Sequence, residues 1–245
     1  MSTPVPNQKK IYANLAQQSE KYAQLVNELY ESLQKESIQL ASIVKYDGIK
    51  PFSFDDYPTI KQKFNNAIQK FYSDMYATIN IGTTDLWNTS NDNQDKFVKN
   101  VLSYYDADPK ENRFVSRYFN NNKDAMKAFQ GRVIDGKFNL SDRIWNAAYT
   151  AKSDIQDALS IGLAEGKSAS KLSQEVRSYL NEPDKQFRHV RDKFGNLKLS
   201  KNAARYKPGA GQYRSSYKNA MRLTRTETAM AYRKAEHLRW QNLDF

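Results

Sequence analysis

The feature that most constrains this chain is the length of its stretches without glycine or proline. From Lys9 to Lys45, and again from Tyr213 to Leu243, nothing interrupts a helical ladder. In the first stretch Ile11, Leu15, Tyr22, Leu25, Leu29, Leu33, Leu40 and Val44 recur at intervals of mostly three, four or seven, which puts them on one face of an α-helix. Asp47-Gly48 and Pro51 close it, because glycine accepts a left-handed cap and proline cannot continue the ladder. With only 9 Gly and 7 Pro among 245 residues, β-sandwiches and barrels, which need frequent tight turns, are disfavoured. The expected fold is mainly α: an elongated multi-helix protein with long amphipathic helices and a basic loop or small hairpin region at about 184–212.

A second helix is expected from Pro58 through Ile60, Phe64, Ile68, Phe71, Tyr72, Met75 and Ile79, with Gly82 punctuating it. The stretch Thr89 to Asp95, TSNDNQD, has no apolar residue and reads as a loop. Asp106 to Asn112, DADPKEN, is a polar hinge, so the chain divides into an N-terminal helical region, 1–110, and a C-terminal one, 111–245. A short helix is expected from Val115 to Arg132. The next begins at Leu140-Ser141-Asp142, where Ser141 would cap the free N–H groups and Leu140 would staple onto Trp145. Ile144, Ala148, Ala151, Ile155, Ala158, Leu159 and Gly162 form its packing stripe, and Gly166 ends it. Ser168 caps a further helix through Leu172, Val176 and Leu180 up to Pro183. Gly195-Asn196 and Pro208 to Gly211 are expected turns, with a small hairpin around Phe194 to Leu199.

Charge is unevenly distributed. Residues 1–110 carry 12 Lys/Arg against 13 Asp/Glu, whereas 111–245 carry 26 against 14. Between Lys185 and Arg239 there are 15 cations and three acids, Asp192, Glu227 and Glu236, so this stretch alone accounts for the net +11. Such density is an electrostatic footprint for a polyanion, nucleic acid or an acidic protein surface. The candidate contact residues are Arg188, Arg191, Lys193, Lys198, Lys201, Arg205, Lys207, Arg214, Lys218, Arg222 and Arg225. In the final helix Arg214, Lys218, Arg222 and Arg225 line one face and Tyr217, Ala220, Met221, Thr224, Ala231, Ala235 and Leu238 line another.

Catalytic and metal signals are weak. The chain has no cysteine, so it offers no disulfide, thiolate ligand or Cys nucleophile. His189 and His237 lack neighbouring carboxylates at metal-ligand spacing. Gly162 to Ser168, GLAEGKS, has one residue too few for a phosphate loop and follows a helix rather than a strand. No serine sits in a G-x-S-x-G elbow. No cofactor and no catalysis are expected. No run of about 18 apolar residues is present, and MSTPVPNQKK lacks a signal-peptide core, so neither a membrane span nor secretion is expected. Tyr206 and Tyr213 are the aromatic residues best placed beside the basic segment to stack on a base.

Glu227 stands out because helical spacing puts it on the packing face with Ala220, Thr224 and Ala231. Three and four residues away its own helix supplies Leu223, Thr224, Met230 and Ala231, none of them cationic. A buried Glu227 therefore needs a partner from another element, and an arginine is expected, Arg143 or Arg177.

The stretch Tyr213 to Glu236, YRSSYKNAMRLTRTETAMAYRKAE, resembles the conserved region of phage head morphogenesis proteins of the Mu F-like minor head protein family. Its centre is Arg222-Leu223-Thr224-Arg225-Thr226-Glu227-Thr228, around the family's R-T-E triplet. Upstream, Asn139 to Trp145, NLSDRIW, and Gly166-Lys167-Ser168-Ala169-Ser170 are similar to the family's earlier helix start and Gly-x-Ser junction. The three landmarks span roughly 139–240, under half the chain, in the family's order. The resemblance implies a non-catalytic minor capsid component of a tailed bacteriophage, oligomeric in the virion and present in the host cytoplasm during assembly. Its implied partners are the portal, other capsid proteins and packaged DNA. Residues 1–110 carry no landmark of the family.

Overall fold

The computed structural model describes residues 7–106, 118–134, 136–181, 189–199 and 215–242. It is mainly α. Helices α1 (Gln8–Ser42), α2 (Pro58–Tyr104), α3 (Lys123–Gln130), α4 (Leu140–Ala164), α5 (Ala169–Asn181) and α6 (Ser216–Gln241) are joined by a 3₁₀ turn at Phe54–Asp56 and a hairpin of β1 (His189–Arg191) and β2 (Leu197–Leu199). The chain clusters into two compact units. Unit one comprises Met1–Gln24, Ala77–Leu140 and Leu223–Phe245; unit two comprises Leu25–Tyr76 and Ser141–Arg222. Each takes residues from both sides of the hinge expected at 106–112, so a single cut there does not separate them.

In unit one, α1 contributes Leu15, Ser19 and Tyr22 to the interior, and the first two apolar positions pack with Leu86 and Tyr232. Trp87 of α2, Phe129 of α3 and Ala231 and Ala235 of α6 form a second cluster. Helix α2 does not stop at Gly82. A Cβ there would lie 2.8 Å from the Tyr22 ring and 2.9 Å from the Thr228 methyl, so this glycine is a close-approach point rather than a break. Nor is TSNDNQD a loop. Its buried stripe is partly polar, running Ile79, Thr83, Leu86, Ser90, Gln94 and Val98 at spacings of three and four. Tertiary partners stabilise it: Gln94 donates to Glu236 at 3.1 Å and accepts from the Tyr118 hydroxyl at 2.9 Å. Helical stability comes mostly from packing of one face, and polar side chains serve when their groups are matched.

The short helix expected from Val115 is α3, beginning only at Lys123; 115–117 lie outside the described residues. The chain around Tyr118 to Asn122 is not helical throughout because side chains occupy its carbonyls. Trp87 Nε1 donates to Asn121 O at 3.0 Å, and Asn122 adopts a left-handed φ of 48° before α3.

In unit two, Val26, Tyr30, Leu33 and Ser37 carry the buried stripe of α1, whereas Leu25, expected on that stripe, is exposed. The expected face is otherwise largely kept, with Leu15, Tyr22, Leu33 and Leu40 buried and Val26 taking the place of Leu25. Tyr30 meets Phe71 and Tyr217 edge-on at 4.7 and 5.5 Å, and Phe52, Phe54 and Phe64 form a ring cluster above the start of α2. The α4 stripe from Ile144 to Leu159 is buried as expected, and so are Leu172, Val176 and Leu180 of α5. Gly162 lets Leu172 approach the α4 backbone. Ser141 does not cap α4: it lies in the first turn and its hydroxyl shares a 2.6 Å hydrogen bond with the Tyr72 hydroxyl. Trp145 is exposed and meets the Tyr72 ring edge-on.

The hairpin lies within the expected basic region and extends further upstream than Phe194 to Leu199. Its strands are antiparallel, with His189 opposite Leu199, Val190 opposite Lys198 and Arg191 opposite Leu197. Pro208 to Gly211, Tyr206 and Tyr213 lie outside the described residues.

Candidate functional site

The helix that carries the family-like triplet is amphipathic in the expected sense. On α6, Ala220, Met221, Leu223, Thr224, Glu227, Thr228, Ala231, Tyr232 and Ala235 are buried, while Lys218, Arg222 and Arg225 are exposed. Within unit one Glu227 is only 1% exposed and pairs with an arginine at 2.9 Å. That arginine is Arg132, which was not among the arginines expected from the sequence. Arg132 follows α3, and its guanidinium lies 3.7 Å from the Phe129 ring centroid and donates to Phe129 O at 2.7 Å. The aromatic face, the carbonyl and the carboxylate together hold the cation in place. Arg132 keeps 23% of its side chain in solvent, so the pair is sealed from the Glu227 side only.

A second arginine on the same face was not anticipated. Arg239 is fully buried. Its guanidinium donates to Tyr118 O and, at 3.0 Å, to Asn120 O, pairs with Asp95, and lies 4.5 Å from the Tyr118 ring centroid. Burial pushes its pKa down to about 10, opposed by the nearby Asp92 charge, and it stays cationic at neutral pH. The signal was present: Arg239 continues the series Ala231, Ala235 at intervals of four, and only its residue type suggested solvent. Close by, burial raises the Glu236 carboxyl pKa, against the Arg233 charge and the Gln94 hydrogen bond.

Among the described residues the candidate cations fall in both units. Lys193 and Lys198 are exposed on the hairpin and Lys218 and Arg222 on the first part of α6, all in unit two. Arg191 is placed in β1 by its backbone. Arg225, in unit one, is engaged by Glu20 through bonds of 2.6 and 2.9 Å, and this contact holds the Glu20 carboxyl below its usual range. A polyanion would have to displace that carboxylate. Arg188, Lys201, Arg205, Lys207 and Arg214 lie outside the described residues.

The hairpin is the best-defined exposed element of the basic stretch. At its turn Asp192 accepts from the backbone N–H groups of Phe194 and Asn196, each at 2.9 Å, and Gly195 takes a φ of +82°. These bonds pull the Asp192 pKa below the usual carboxylate range and hold it in its ionised form. The tip projects Phe194, 76% exposed, with the Lys193 ammonium 4.9 Å from its ring centroid. Among the described residues no group of His, Asp and Glu is arranged to hold a metal ion, and no helix is long and apolar enough to cross a membrane.

Set beside known proteins, the chain matches no family model, no curated protein and no solved structure.

Proposed function

We propose that this protein is a structural, non-catalytic minor head component of a tailed bacteriophage, working beside the portal during head assembly and DNA packaging. The observation that carries the reading is the R-T-E triplet of α6. Its glutamate is spent on a buried ion pair inside the fold and its arginine on a surface clasp to Glu20. A motif used in that way organises helices, which suits an assembly protein, and the helix start at Leu140 and the junction at Gly166 precede it in the order of the Mu F-like proteins. The head-assembly role has a direct genetic test. A phage deleted for this coding sequence is expected to yield heads that fail to package or retain DNA, with infectivity restored by the gene in trans. Normal burst size from the deletion overturns the reading.

A second reading, a nucleic-acid-binding module outside any virion, is favoured by the exposed Lys193, Lys198 and Lys218. It predicts salt-sensitive DNA retention by the pure chain and no phenotype in head assembly.

A further inference from the structure

Phe194 is a large apolar ring held in solvent at the tip of a turn whose geometry is fixed from within. Its ring is 76% exposed, has the Lys193 ammonium 4.9 Å from its centroid and lines a hollow with Tyr46 and Ile49. Its surroundings say what it contacts. The sequence from Lys185 to Lys201 carries six cations and one acid, Asp192, whose carboxylate accepts from two backbone N–H groups of the turn. The tip lines a hollow of about 530 Å³ with Tyr46, Ile49 and Lys193. Lys198, from the other strand, lines a hollow of about 360 Å³ with Tyr149 and Lys152. The two hollows share Pro51 and Ser160, so they adjoin on unit two. Tyr149 is a second exposed ring, at 58%. The rim acids Asp55 and Glu165 are matched by Lys61 at 3.2 Å and by Lys167. Asp157, in the smaller hollow, also has a partner within the fold.

Exposed rings alternating with exposed lysines are the chemistry of single-strand recognition: each base has a face to stack and each phosphate a charge to neutralise. We propose that the hairpin and the adjoining face of α4 form a single-stranded DNA track in which Phe194 and Tyr149 stack on unpaired bases while the exposed Lys193 and Lys198 meet the phosphates; Lys152, half-buried, is held by Asn65 Oδ1 at 2.8 Å. The inference deepens the DNA-facing part of the function proposed above and rests on it.

The test measures binding of the full chain to fluorescein-labelled oligothymidylate and to a duplex of the same length, by anisotropy over a salt series. Phe194→Ala and Tyr149→Ala are each expected to weaken oligothymidylate binding about five- to one-hundred-fold, the effect of losing one stacked base, with duplex binding changed less than about twofold. Lys193→Ala/Lys198→Ala is expected to lower the single-strand salt slope by about 1.4, from two phosphates at about 0.7 each. Circular dichroism confirms that the variants, all at exposed positions, keep the fold. Equal binding by wild type and Phe194→Ala overturns the track while leaving charge-based DNA contact standing. No binding of either DNA by the wild type removes the DNA-facing reading as well. Phe194-dependent binding to vesicles of anionic lipid without oligonucleotide binding overturns the track in favour of a membrane surface.

Discussion

Replacing Arg132 with methionine removes the guanidinium 2.9 Å from a carboxylate that is 1% exposed, and the structure gives the size of the result. Breaking a buried pair by removing one partner costs about 3–5 kcal/mol, because the remaining charge stays in a low-dielectric site. Arg132 keeps 23% of its side chain in water, so the lower end applies, about 3 kcal/mol. At about 2–4 °C per kcal/mol for a chain of this size, Tm should fall by roughly 6–12 °C. The reverse change, Glu227→Gln, is milder, since Arg132 retains the Phe129 ring and carbonyl and can turn to solvent. The double variant should recover a good part of the loss, because both charges of the pair are then gone. Urea and thermal unfolding followed at 222 nm measure all four corners of this cycle. A cost under about 1 kcal/mol for Arg132→Met, or strict additivity of the two changes, would refute the claim that this pair ties α6 to the segment after α3.

Two further outcomes follow from unit one. Gly82→Ala should destabilise by about 1–3 kcal/mol through overpacking against Tyr22 and Thr228, although alanine is the better helix former by up to about 1 kcal/mol; a rise in Tm would show that the helices do not meet there. Glu236→Gln should raise Tm at pH 7 and leave it unchanged near pH 4. The folded-state pKa of Glu236 is raised by burial, so the wild type has this group's full stability below the unfolded value and loses it as pH climbs through the folded one. Equal shifts at both pH values would contradict that assignment.

How much of this could be read from residues alone depends on whether the interior was apolar. The α4 stripe from Ile144 to Leu159 and the buried positions of α5 are aliphatic or alanine, and their periodicity sufficed. The continuation of α2 past Gly82 was hidden because its stripe passes through Thr83, Ser90 and Gln94; Thr83 accepts from Gln130 of α3, and Gln94 is matched by Glu236 of α6 and by Tyr118. Periodicity of apolar residues is blind to a matched polar core. For Glu227 the need for a distant arginine followed from the absence of a cation three or four residues away on its own helix, while the pairing with Arg132 depends on the tertiary path of the chain, which brings that residue back from the end of α3. Arg239 failed for the opposite reason: its spacing marked it as interior and its charge argued otherwise. At the hairpin, cation density was visible in the sequence, while the projection of Phe194 depended on the turn built by Asp192 and Gly195.

The claim on which the functional account stands is that this polypeptide is part of a virion. Particles banded to purity, stripped of loosely bound host protein and analysed by quantitative mass spectrometry test it most directly. The account predicts peptides of this chain at a fixed low stoichiometry to the portal and the major capsid protein. Their absence from intact particles, with the chain found only in the lysate, would contradict it.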